Sequence, residues 1–202
     1  MAKVPSTTAN EILSLLQSLT KANADSVLHN LSQFIKLGTE KSIVLLKACF
    51  DNLNRHKTEP KNPPLEKVVA SIFRNLLVRP NFCTVLRKSL RESKISHGTI
   101  ENFSDALHLS LPEKICIGLA LSNSENFDIR ICGKNFYVAR IEELCAADPD
   151  NPNSREQILS IISFFQQSEC LSGLLDSFLK ILSFVQLKDD IFTEILDICQ
   201  EK

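Results

Sequence analysis

Pro64-Leu65-Glu66-Lys67-Val68-Val69-Ala70-Ser71-Ile72-Phe73-Arg74-Asn75-Leu76-Leu77 decides the fold class. Leu65, Val68, Val69, Ile72, Phe73, Leu76 and Leu77 recur every three or four positions, the spacing that lines up one face of a helix. Pro64 suits the first turn, where a missing N–H costs no intrahelical bond. The same period returns in Val27, Leu28, Leu31, Phe34 and Ile35, and again in Leu171, Leu174, Leu175, Phe178, Leu179 and Leu182. Nowhere does apolar and polar alternation last long enough to make a strand.

Punctuation falls between these stripes. Asn23 or Asp25 can cap the N-terminus of one helix, and Gly38 can end it in the left-handed conformation. Thr39 is placed to cap the next helix, which should run to about His56. Glu59-Pro60-Lys61-Asn62-Pro63-Pro64 forms a Pro-rich loop, and Arg79-Pro80-Asn81 breaks the chain again. Ser110-Leu111-Pro112-Glu113 and Ser154 to Gln157 have the spacing of capping boxes. Asp189 and Asp190 sit where a last helix should begin. These signals give ten or eleven helices whose starts lie about 20 residues apart, so a helix pair spans about 40, near the period of HEAT-type repeats. The expected architecture is all-α: a HEAT-like stack of antiparallel helix pairs, an irregular α-solenoid. It fills residues 1–202 as one helical-repeat domain, which the Pro-rich loop could subdivide into blocks 1–58 and 63–202.

Composition agrees with this class. The 202 residues are 44% hydrophobic and 23% charged, with only 5 Gly and 8 Pro. Tight turns usually need Gly, so an all-β protein is disfavoured. There are 23 Lys plus Arg against 24 Asp plus Glu, a formal net charge of −1. A general nucleic-acid coat would be strongly basic. The apolar runs Ile43–Leu46 and Cys116–Leu121 are too short to cross a bilayer. The first residues, Met1 to Thr8, carry no apolar leader segment. We therefore expect a cytoplasmic chain that can also be nuclear, and no membrane partner.

Seven cysteines are widely spaced, the closest two 13 residues apart. They are read as small apolar core residues rather than a disulfide framework. His56 follows Cys49 by seven residues with no second pair, which does not make a zinc site. Glu142-Glu143 and Asp189-Asp190 point in different directions on a helix, so neither is an acid–base pair. No phosphate-binding glycine loop is present. The sequence thus leads us to expect no enzyme, no cofactor, no metal and no small-molecule ligand. Gly118 and Gly133 lie inside helical patterns, where a close helix approach or a kink would account for them.

Charge is uneven along the chain. Lys67 to Lys94 holds seven basic residues against one acid, while Glu142 to Lys202 holds twelve acids against four basic residues, a balance of −8. Arg87, Lys88, Arg91 and Lys94 share helical spacing. They are the candidate contacts for a partner or for RNA phosphates, with an ordinary solvated face as the bland alternative. Phe73 and Phe82 lie nearby, but their spacing matches the core stripe.

The block Leu109–Leu144, LSLPEKICIGLALSNSENFDIRICGKNFYVARIEEL, resembles the extreme N-terminal region of the large scaffold subunit of the Ccr-Not deadenylase complex. Arg79-Pro80-Asn81-Phe82, Asn23 to Val27, Leu31 and Gln33-Phe34-Ile35 add to the likeness, which is closest to the plant versions. It extends from about Ile12 to Leu187, and its motifs are packing motifs. The resemblance implies a non-catalytic scaffold of HEAT-like repeats that acts in messenger-RNA deadenylation and decay, and so in regulating gene expression. Its implied partners are the accessory Not-type subunits of the complex, with RNA contact indirect or weak. Scaffold subunits of that family are many times longer. The expectation is therefore a short paralogue, a truncated isoform or an excised domain without the nuclease-holding regions. The competing expectation is an RNA-binding adaptor that uses the basic surface of residues 67–94.

Overall fold

The computed structural model describes residues 6–55, 62–91, 97–146, 152–166 and 172–182. Ten helices occur among the described residues, and no strand does. They are α1 Ser6–Gln17, α2 Ala24–Lys36, α3 Thr39–Arg55, α4 Pro63–Leu77, α5 Phe82–Leu90, α6 His97–Ala106, α7 Leu111–Ser122, α8 Phe127–Ala146, α9 Pro152–Gln166 and α10 Ser172–Leu182.

Local chemistry sets several of these boundaries. Asn62 accepts the Leu65 N–H at 3.2 Å, and Pro63 and Pro64 occupy the first turn of α4. Glu113 reaches back one turn to accept the Ser110 N–H at 2.8 Å and the Ser110 hydroxyl at 3.0 Å, which fixes the start of α7. Gly38 sits between α2 and α3 at φ +115°, a region that a Cβ disfavours. Three caps differ from expectation. Thr39 is the first residue inside α3, and its hydroxyl accepts from the Asn81 side chain at 2.7 Å. Asn23 stands at the N-cap of α2, but its side chain turns back to the α1–α2 turn, accepting the Thr20 N–H and donating to the Ser18 carbonyl. Ser154 is the third residue of α9, because Pro152 already opens that helix. Asp189, Asp190 and His56 lie outside the described residues.

The stripes become the core. Leu65, Val68, Val69, Ile72, Phe73, Leu76 and Leu77 are all buried, as are Val27, Leu31, Phe34 and Ile35. One buried cluster runs from Ile12 to Phe178. Phe50 of α3 stacks on Phe103 of α6 with ring centroids 3.9 Å apart, and Phe73 of α4 meets Phe82 and Phe103 edge-on. Most helices pack on the neighbour two places along: α1 on α3, α2 on α4, α3 on α5, α5 on α7, α6 on α8 and α7 on α9. Contacts of α3 with α6 and of α7 with α10 cross this ladder.

The tightest pair is α7 with α8. A Cβ built on Gly118 would stand 2.6 Å from the Tyr137 Cβ, and one on Gly133 would stand 2.6 Å from both the Leu121 Cβ and the Ser122 backbone nitrogen. The two helices run antiparallel and nearly touch backbone to backbone. Of the two readings offered for these glycines, close approach is the one observed. Arg140 ties α8 to α6, donating to Glu101 at 3.0 Å, and also pairs with Glu143 on its own helix.

Candidate docking surface

α5 is nine residues long and buries Phe82, Val85, Leu86, Ser89 and Leu90. Its other side carries Thr84, Arg87 and Lys88, with Arg91 at its end. These four residues face Ser124, Glu125 and Asn126 of the α7–α8 turn across an open cleft of about 570 Å³. Three of the four basic residues singled out in the sequence therefore share one surface. Lys94 lies outside the described residues.

The three cations are not equivalent. Arg87 is half-buried and committed to structure: its Nε donates to the Cys83 carbonyl at 3.1 Å and its Nη1 to the Asn123 carbonyl at 2.7 Å. It thereby satisfies a carbonyl at the C-terminal end of α7. The Lys88 ammonium stands 3.6 Å from the Glu40 carboxylate, an exposed pair. Arg91 is exposed and makes no ion pair among the described residues. Cations in the last turn of a helix also complement its dipole, which accounts for part of their clustering. Facing them, Ser124 accepts the Asn126 N–H, and Asn126 accepts the Ile129 N–H to cap α8.

The rest of the basic segment disperses. Arg74 leaves the patch for Glu113, with Nε to Oε1 at 2.8 Å. Burial alone would push the Glu113 carboxyl up. The hydrogen bonds from Arg74 and Ser110 and the nearby guanidinium charge outweigh it, so the group lies below the ordinary carboxylate value. Arg79 lines a separate, smaller depression of about 350 Å³ with Ile35, Lys36, Asn75 and Val78. Phe73 and Phe82 are 0% and 1% exposed, so neither ring can stack on a base.

No family model matches the sequence, and no curated protein matches it.

The surface also holds residues that sequence reasoning missed. Phe127 and Ile131 on α8 are 63% and 39% exposed, and Leu37 and Val78 are more than half exposed. Arg130 lies over the Phe127 ring at 5.6 Å without covering it. The available signal was the cap Ser124–Asn126, which makes Phe127 the first helical residue and places Ile131 one turn further along. Among the thiols, burial pushes Cys49 up to about 12 and Cys116 well above the usual value. Cys132 is raised too, by burial and then by Asp128. These three thiols are therefore neutral near pH 7. No cluster of His, Cys, Asp and Glu able to hold a metal occurs among the described residues. No described helix is long and apolar enough to cross a membrane.

Proposed function

We propose that the chain is a non-catalytic protein-interaction module, a HEAT-like stack of helix pairs of the kind found at the N-terminal end of the Ccr-Not scaffold subunit. In this role it docks accessory Not-type subunits and so acts in messenger-RNA deadenylation. The observation that carries the reading is the set of large apolar side chains left on the surface of an otherwise well-buried helical body: Leu37, Val78, Phe127 and Ile131. Phe127 and Ile131 lie one turn apart on α8, while Val78 lines the separate depression beside Arg79; adjoining exposed apolar side chains rimmed by polar ones mark interaction sites. Packing of most helices on the one two places along supports the stacked-pair reading. The block that carries the family likeness folds as the glycine-sealed α7–α8 pair.

Affinity purification of the tagged chain from cells tests this. Recovery of accessory Not-type subunits is expected, and recovery of no subunit of the complex would overturn it. The RNA-adaptor reading keeps one specific support, the gathering of Arg87, Lys88 and Arg91 along one cleft. Phosphate-driven binding would fall steeply with salt, with a log–log slope close to the number of phosphate contacts. Apolar docking would be far less sensitive.

A further inference from the structure

We infer that the cleft between α5 and the α7–α8 turn, together with the adjoining outer face of α8, binds an acidic protein segment that carries apolar anchors. The inference rests on the protein-interaction reading and names the site and the chemistry of the partner. Arg87, Lys88 and Arg91 line the cleft. Its wall ends at Asn126, and α8 begins at the next residue. Phe127, Arg130, Ile131 and Lys134 follow at positions i, i+3, i+4 and i+7, all exposed, so they form one stripe of alternating apolar and cationic character.

The mixture decides the kind of occupant. Among the described residues, five cations meet three nearby carboxylates: Glu125 in the cleft, Glu40 beside Lys88, and Asp128 in the first turn of α8. A continuous phosphodiester chain would meet all three repulsions. A peptide can place its own few carboxylates opposite Arg91, Arg130 and Lys134 and avoid them. Phe127 could stack on a base, but Ile131 offers a base nothing, whereas both suit Leu or Phe side chains from an amphipathic helix. Arg87 is already held by two backbone carbonyls, so ordering it costs a ligand little. The whole chain carries a net charge of −1, so attraction for an acidic partner depends on local clusters of cations such as this one.

The test is fluorescence anisotropy on the full chain. The probe is a labelled 16-residue peptide with Leu and Phe at helical i, i+3, i+4 spacing and Glu elsewhere. The same peptide with Lys for Glu and a 16-nucleotide oligouridylate are the comparisons. The acidic peptide should bind, and binding should fall about tenfold or more in Arg91→Glu and in Phe127→Ser, as for central interface residues. Both residues are exposed, so unchanged circular dichroism and melting should accompany the loss. Charge reversal at Lys21, in the α1–α2 turn, should leave affinity unchanged. Equal binding of the Lys peptide, equal loss in Lys21→Glu, or undiminished binding in both site variants would overturn the proposal. Preference for oligouridylate, lost in Arg91→Glu, would also overturn it and assign the cleft to RNA. If the peptide fails while the tagged chain still recovers Not-type subunits, this site falls and the module reading stands.

Discussion

Helices α4 and α7 both open on a proline-bearing first turn, and both are largely apolar, yet they bury themselves in different ways. α4 hides one face and leaves Lys67, Arg74 and Asn75 outside. α7 is enclosed on all sides, with every residue from Ile115 to Leu121 buried among α5, α8, α9 and α10. The amphipathic helix is held by side-chain volume. The enclosed one is held by the absence of a side chain at Gly118, which lets α8 come in to backbone distance. Two routes to a packed interior therefore coexist in one chain, and they should fail differently.

Gly133→Leu is the largest test of that difference. With less than 3 Å to Leu121, Ser122 and the Gly118 carbonyl, even the first added carbon requires the helices to part. Loss of cooperative unfolding in urea, followed by circular dichroism, is expected, and a folded, cooperative variant would break the comparison. Gly133→Ala should still cost about 2–4 kcal/mol, although alanine improves helix propensity by about 1 kcal/mol. In α4, Phe73→Ala removes volume without a clash, so the protein should fold and lose roughly 3–5 kcal/mol. Glu113→Gln should cost about 1–3 kcal/mol by weakening the charge-assisted link between the start of α7 and Arg74 on α4. The sign with pH follows from the lowered carboxyl value in the folded state. Its contribution is complete above the unfolded value near 4.5 and is lost as pH falls through the folded value, so wild type and variant should converge in acid. Lys88→Ala, which breaks only the exposed 3.6 Å pair with Glu40, should change stability by less than about 0.5 kcal/mol.

The helical class was legible because stripes such as Leu65 to Leu77 repeat at the helix period, and that repeat is a property of one strand of sequence. Caps were legible where donor and acceptor lie three residues apart, as in Ser110 and Glu113. Thr39 was misread because a long-range partner competes: its hydroxyl meets Asn81, 42 residues away, and no local pattern announces that; Asn23 instead turned to the neighbouring Thr20 and Ser18. The grouping of Arg87, Lys88 and Arg91 followed from helical spacing. The departure of Arg74 toward Glu113 did not, since the two are 39 residues apart. The Ser124–Asn126 cap marked Phe127 as a helix start, but its exposure was not legible, since an aromatic there looks the same in sequence whether or not a neighbour covers it.

The nine-residue helix α5 is fastened to both flanks. Asn81 bonds to Thr39, and Ser89 donates to the Ile43 carbonyl, both on α3, while Arg87 donates to the Asn123 carbonyl at the end of α7. A helix that short does not persist alone in water. The charged lip it presents is thus on loan from the whole body: a synthetic α5 peptide should be a poor mimic of it, and any ligand gripping it should raise the melting temperature of the entire chain.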